Sequence, residues 1–192
     1  MLISVLLSAV LLQAPERPPV AYCDLARNAP LTQGVREFEG ENSGWRQWGE
    51  HGCELAAADL IAAYVLRNTN TLKSSERAEL LFHEAQLRAT SGDNVSAARL
   101  IEKIDSRSLI EPVTLYHQAT YYFLVGDLDH LRSIRSQLSD LPVPDEFERA
   151  REDYISRYGG DGPKWPLNID IVDDLIKCFG QPYKVAYACS YH

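Results

Sequence analysis

The chain has 192 residues, of which 45% are hydrophobic and 24% are charged, which is enough for one globular domain with a substantial core. Its formal net charge of −8 argues against a nucleic-acid-binding protein, because phosphate recognition needs a basic surface. The same negative charge disfavours docking on anionic lipid. After the N-terminus no apolar run is long enough to cross a bilayer, so no membrane span is predicted.

The first fourteen residues are predicted to be a secretory signal peptide. Residues 1–12 are almost wholly apolar, and Gln13 and Ala14 follow before a Pro-rich stretch. A short apolar segment that ends at a small residue is typical of such signals. The segment lacks Lys and Arg, and Pro15 follows the most natural cleavage point, so a buried N-terminal helix or an uncleaved anchor stays open. Export to an oxidising compartment, such as a bacterial periplasm, is the favoured prediction.

The four cysteines are predicted to form two disulfides, because they show no metal-binding spacing and the chain is expected to be exported. Of the three possible connectivities, Cys23–Cys53 with Cys178–Cys189 is favoured, since each pair closes a local loop near one end of the chain. A straight helix or strand after residue 183 would carry Cys189 roughly 10–20 Å from the preceding turn. A disulfide needs Cα atoms about 4.4–6.8 Å apart. The tail must therefore bend back, or Cys189 pairs elsewhere.

Residues 15–52 are rich in Pro, Gly and polar side chains. The glycines of this segment argue against a long helix. Trp45 and Trp48 are nevertheless large groups that a solvated linker does not need. We therefore predict an ordered but irregular N-terminal cap, tied down by the Cys23–Cys53 disulfide.

From Cys53 onward the apolar residues recur with a helical period. The first predicted helix, over residues 53–68, has an apolar stripe formed by Leu55, Ala58, Ala62, Val65 and Leu66. Further helices are predicted over residues 74–91, 94–104, 112–126, 128–138, 145–158 and 169–179. The tail from residue 183 is predicted to be helical or irregular, because a lone strand would have no partner. The predicted fold is all-α, with a helical array over residues 53–158 and a C-terminal capping helix and tail over residues 159–192.

Two segments of the chain repeat with a period of 34 residues, "LFHEAQLRATSGD" at 81–93 and "LYHQATYYFLVGD" at 115–127. The residues that carry the period are Leu81, Ala85, Gly92, Asp93 and Ala97, answered by Leu115, Ala119, Tyr122, Gly126, Asp127 and Leu131. A helix-turn-helix unit of this length resembles the tetratricopeptide repeat family. The resemblance covers residues 76–140, and Gly160-Asp161 in phase indicates a degenerate third unit. It implies antiparallel helical hairpins stacked as a short array, and a generic helical bundle is the alternative.

The resemblance also implies where a partner would bind. In that family the first helix of each unit lines a concave groove that holds peptides or partner helices. The corresponding groove-facing candidates are Phe82, His83, Gln86, Tyr116, His117, Thr120 and Phe123. Such an aromatic and imidazole surface suits an extended peptide or a carboxylate, although the basic residues of the family's carboxylate clamp are absent here. The alternative is that Phe82 and Tyr116 pack in the core while the two histidines are ordinary surface residues.

Catalytic and metal sites receive weaker support. Cys53 at the start of a helix is a position that lowers a thiol pKa, but no strands are predicted to carry the histidine and the orienting residue that a cysteine hydrolase needs. His83 and His117 lie near one another in the predicted array without a third metal ligand, so no metal or cofactor is predicted. The predicted function is non-catalytic binding of a peptide or protein partner. A hydrolase built on Cys53 and a structural accessory subunit of an envelope complex are the alternatives.

Overall fold

The computed structural model describes Cys23 and residues 31–40, 43–49 and 52–191. These residues form α-helices and short 3-10 turns, and no strand occurs in the described part of the chain. The predicted all-α fold class is therefore confirmed. The predicted signal peptide, residues 1–14, lies outside the described residues. Among the described helices, none combines the length and the apolar character needed to cross a membrane.

The described helices follow the predicted order along the chain. They are α1 (Val35–Phe38), α2 (Arg46–Gly49), α3 (Glu54–Arg67), α4 (Ser74–Thr90), α5 (Asn94–Ile101), α6 (Glu111–Leu124), α7 (Leu128–Ser139), α8 (Phe147–Tyr158), α9 (Ile169–Lys177) and α10 (Tyr183–Ala186). Two 3-10 turns, Ser106–Ser108 and Cys189–Tyr191, lie before α6 and after α10. Every helix predicted from the period is present, and most of the bounds agree within one or two residues.

The described residues of the N-terminal cap, 31–40 and 43–49, pack on α3 and α4. Phe38 is fully buried, and its ring stacks on that of Tyr64 with centroids 3.8 Å apart. The Tyr64 hydroxyl donates to the Gln33 carbonyl oxygen at 2.7 Å, and Trp45 is only 7% exposed. The predicted Cys23–Cys53 disulfide is present, with Cα atoms 5.3 Å apart. The prediction of an irregular cap missed the two one-turn helices, α1 and α2.

The face of α3 that packs inward differs from the prediction. Leu55 and Leu66 are 51% and 79% exposed, so the predicted apolar stripe is wrong at both positions. The buried face instead carries Ala57, Ala58, Leu60, Ile61, Tyr64 and Val65. The cap decides this orientation, because its aromatic rings cover the side of the helix that carries Ile61 and Tyr64.

Two helical hairpins carry the 34-residue period. Helices α4 and α5 form the first hairpin, and α6 and α7 form the second. Each turn contains a glycine with positive φ, +95° at Gly92 and +78° at Gly126, which a residue with a Cβ rarely adopts. Asp93 and Asp127 then cap the second helix of each hairpin by accepting from the backbone N–H groups of Ser96 and His130. The turns therefore repeat in structure as they do in sequence.

The C-terminal part of the chain leaves the period after the second hairpin. Helix α8 has no buried residue among its described side chains, and residues 161–168 form no helix. Helix α9 instead packs against α6 and α7, with Val172 and Leu175 fully buried. The Arg135 guanidinium donates to both oxygens of Asp173, at 2.8 and 3.1 Å. Helix α9 therefore covers the second hairpin on the side of α6 and α7.

The tail after α9 bends back, as the second predicted disulfide requires. Cys178 and Cys189 are bonded, with Cα atoms 6.0 Å apart, so both predicted pairings are confirmed. The bend consists of the one-turn helix α10 and the closing 3-10 turn. The Asp174 carboxylate fixes this turn by accepting from the N–H and the hydroxyl of Ser190. Tyr183 and Ala186 are thereby buried against the array.

Candidate functional site

The first helices of the two hairpins meet through the predicted aromatic and histidine pairs. The Phe82 ring stacks on the His117 imidazole with centroids 3.7 Å apart and planes at 15°. The edge of Phe82 also meets the Tyr116 ring at 5.2 Å. Phe82, Tyr116 and His117 are only 4–6% exposed. The alternative prediction that both histidines are surface residues is therefore wrong for His117, which is part of the packing between α4 and α6.

The chain's own tail covers one end of the groove between α4 and α6. The Gln86 amide donates to the hydroxyl oxygens of Tyr116 and Tyr183, at 3.1 and 3.2 Å. The Phe123 ring lies 5.9 Å from that of Tyr183. Thr120 is fully buried, and its hydroxyl donates to the Tyr116 carbonyl oxygen at 3.1 Å. Thr120 and Phe123 therefore offer no surface to a partner, although both were predicted to face the groove.

The other end of the groove remains open as a cavity of about 400 Å³. We call it the α4–α6 cavity. Its lining residues are Ser75, Glu79, Phe82, His83, Gln86, Ser108, Leu109, Ile110, Val113, Tyr116, His117, Asn168 and Tyr187. Five of the seven predicted groove residues belong to this lining, and the two that do not are Thr120 and Phe123. The volume falls in the range of about 300–1,000 Å³ that is usual for ligand pockets.

Several lining residues were missed by the sequence prediction. Ser75 and Glu79 lie on the same face of α4 as His83, at successive spacings of four residues, so helical periodicity could have identified them. Ile110 lies between the 3-10 turn and α6, where no periodic pattern points to it. Asn168 and Tyr187 belong to the C-terminal segment, and they reach the cavity only because α9 and the tail fold back over the array.

Burial keeps the His117 imidazole neutral. Loss of hydration, with a smaller effect from the nearby charge of His83, lowers the pKa of His117 to about 3. Its Nδ1 atom is buried and has no hydrogen-bond partner among the described residues. The neutral ring therefore supplies a flat, polarisable wall and no positive charge.

His83 connects the cavity to the N-terminal cap. Its Nδ1 lies 3.1 Å from a carboxylate oxygen of Glu39, and the Arg46 guanidinium lies 3.2 Å from the same carboxylate. Burial alone would raise the pKa of Glu39, but His83 and Arg46 hold it below its usual value. Trp45 adds a ring contact to His83 at 5.2 Å. The Nδ1 edge of the His83 ring therefore contacts the N-terminal cap and not the cavity.

The tyrosines at the covered end stay protonated. Burial raises the pKa of Tyr116 well above its usual value, and burial raises that of Tyr183 as well. Their hydroxyl groups act only as neutral hydrogen-bonding groups. Among the described residues of the lining there is no lysine or arginine, and Glu79 is the one carboxylate. The cavity therefore combines aromatic and aliphatic walls with polar side chains and one negatively charged side chain, that of Glu79.

The remaining chemical candidate was Cys53. Its sulfur is bonded to that of Cys23, so in this structure it offers no thiolate for catalysis. Comparisons with protein-family models, with curated proteins and with solved structures find no match for this chain. The function is therefore inferred from the geometry of the α4–α6 cavity itself.

Proposed function

We propose that this chain is an exported interaction protein that holds a peptide segment of a protein partner in the α4–α6 cavity. The observation that carries the proposal is the cavity itself, which is open, has polar and apolar surface in similar amounts and is formed by residues of four separate segments. Binding pockets are typically concave, with apolar walls and a few polar groups that fix orientation. The affinity would come from a side chain of the partner that lies in the cavity against Val113 and the small accessible edges of Phe82 and Tyr116.

The repeat and the disulfides support the rest of the proposal. Two hairpins with equivalent turns, 34 residues apart, support membership of a tetratricopeptide-like family. Two disulfides in a chain of this size support an oxidising, exported location, since such bonds persist mainly outside the cytosol. The signal peptide predicted for residues 1–14 supports the exported location as well.

The two alternatives fit the geometry less well. A hydrolase built on Cys53 would first need its disulfide to be reduced. An accessory subunit that docks through the N-terminal cap would need exposed tryptophans, whereas Trp45 is 7% exposed and packs against the Arg46 guanidinium at 4.2 Å, and Trp48 is half-buried. The α4–α6 cavity therefore remains the better candidate for the interaction surface, without catalysis.

Replacing Ile110 with glutamine is expected to reduce partner recovery about tenfold. Ile110 lines the cavity and is 60% exposed, so the change leaves the core intact. A partner that binds there would bury an amide without a hydrogen bond, a penalty of about 1–3 kcal/mol that corresponds to roughly tenfold in affinity or more. The measurement is affinity purification from envelope extract of the native host, with the recovered proteins quantified by mass spectrometry.

The matched control is Val95→Gln. Val95 is 63% exposed on α5 and does not line the cavity, so this variant should recover the same proteins as the wild type. Both substitutions replace one uncharged side chain with another, so the result does not depend on the partner's charge. Equal recovery with Ile110→Gln and the wild type would contradict the proposed function, and so would equal losses in the two variants.

A further inference from the structure

The lining of the α4–α6 cavity has an uncompensated negative charge. Glu79 is exposed on α4 and, among the described residues, has no hydrogen bond and no ion pair. Its neighbour Glu76 differs, because it lies 3.7 Å from the Lys73 ammonium. Glu39, across the His83 side chain, is compensated by Arg46. Glu79 therefore stands out as a carboxylate at the cavity that has no charge partner in the described part of the chain.

From this charge and the apolar wall beside it, we infer that the cavity receives a basic side chain of the partner, a lysine or an arginine. The aliphatic stem would lie against Phe82 and Val113, and the cationic head would face Glu79. Long basic side chains commonly bury the stem on apolar surface while the head stays at the polar edge. The inference rests on the proposed function, and it names the chemistry of the partner at that site.

An anionic ligand fits the same cavity poorly. The described residues of the lining include no lysine or arginine, and His117 is neutral because burial lowers its pKa to about 3. His83 is already directed to the carboxylate of Glu39. An acidic side chain would therefore meet the charge of Glu79 with nothing to offset it. The net charge of −8 over the whole chain acts in the same direction, because it repels anionic partners at long range.

A purely apolar side chain also fits less well than a basic one. It would cover the apolar wall but would remove water from Glu79 without replacing it by a partner, and burying an unpaired charge is unfavourable. The cationic group of a lysine or an arginine would replace the lost water by pairing with the Glu79 carboxylate. Tyr187, which is 38% exposed at the cavity, adds an aromatic surface of the kind that attracts cations.

The test uses two capped amino acids that differ only in the terminal ammonium group of the side chain. Nα-acetyl-lysine methylamide and Nα-acetyl-norleucine methylamide share the aliphatic stem, and the second lacks the ammonium group. Each is titrated into the isotope-labelled full chain at low salt, while NMR shifts of Val113 and Ile110 report binding at the cavity. We expect the lysine compound to bind about threefold more tightly, which is typical of one solvent-exposed ion pair.

The preference for lysine should disappear in Glu79→Gln. It should persist in Glu152→Gln, which removes the same charge from an exposed position on α8 outside the cavity. Equal binding of the two compounds to the wild type would overturn the inference, and so would a lysine preference that survives in Glu79→Gln. Absence of shifts at Val113 and Ile110 with both compounds would overturn it as well. These outcomes are distinguishable from failure of the proposed function, which is measured separately by partner recovery with Ile110→Gln.

Discussion

Tyr183→Ala is expected to lower the free energy of unfolding by about 3–5 kcal/mol, the usual range for deleting a buried aromatic ring. The Tyr183 side chain is 2% exposed. Its ring contacts Phe123 at 5.9 Å and Tyr187 at 5.6 Å, and its hydroxyl oxygen accepts from Gln86. Alanine leaves a cavity at the point where the tail meets the groove, and it leaves the Gln86 amide with one acceptor fewer.

The measurement is urea denaturation followed by circular dichroism, with the disulfides intact. Tyr187→Ala is the matched control, because that side chain is 38% exposed and its truncation should cost about 1 kcal/mol or less. Equal losses in the two variants would contradict the packing of the tail described above. A loss confined to Tyr183→Ala means that the tail is an integral part of the fold and is packed over that end of the groove.

Acidification from pH 7.5 to pH 4.5 is expected to destabilise the wild type by about 2–3 kcal/mol more than it destabilises His117→Phe. The pKa of His117 is lowered to about 3 in the folded chain, while an unfolded histidine has a pKa of about 6.5. Between these values the unfolded state binds the extra proton and the folded state does not. Stability from this group is therefore complete above pH 6.5 and is lost as the pH falls toward 3.

Phenylalanine is the matched replacement because it can keep the stacking on Phe82 and has no titrating group. It also removes the buried Nδ1 that lacks a partner among the described residues, so His117→Phe is not expected to lose stability at pH 7.5. Other titrating groups contribute to the pH dependence of stability in both proteins, and their contributions cancel when the two proteins are compared. Glu84 is one of them, because burial raises its pKa despite the adjacent Arg88. Parallel stability curves for the two proteins, measured by urea denaturation at each pH, would contradict a neutral, buried His117.

The helices and turns could be predicted because their signals are local. The Gly-Asp pairs at residues 92–93 and 126–127 mark turns whose glycines need positive φ and whose aspartates cap the next helix. The repeated pattern around Ala85 and Ala119 then predicts two similar hairpins. The turn and cap signals depend on residues within one helical turn of each other, and the repeat is visible by comparing two segments of the sequence, so no knowledge of the tertiary contacts was required.

The inward face of α3 could not be predicted in the same way. This helix has alanine or leucine on nearly every side, as in "ELAAADLIAAYVLR". Periodicity therefore indicated a helix without deciding which side is buried. The contact between Phe38 and Tyr64 decides it, and that contact depends on how the cap folds.

The candidate site was predictable only in part for a similar reason. The α4 and α6 faces that carry Phe82, His83, Tyr116 and His117 were expected from the resemblance to tetratricopeptide repeats. The sequence did not predict that the tail covers one end of the groove between these faces. Gln86 and Tyr183, which meet there, are 97 residues apart, and no local pattern connects them. The tail turned a predicted open groove into a cavity with one closed end.

The central claim is that a protein partner binds in the α4–α6 cavity, and site-specific photo-crosslinking tests it most directly. A benzoyl-phenylalanine placed at Ile110, in the full chain expressed in its native host, should cross-link to one discrete partner on illumination. The same group placed at Val95, which is equally exposed on α5, should not. A partner captured from Ile110 alone is the predicted result. No cross-link from Ile110, or the same cross-linked product from both positions, would contradict the account.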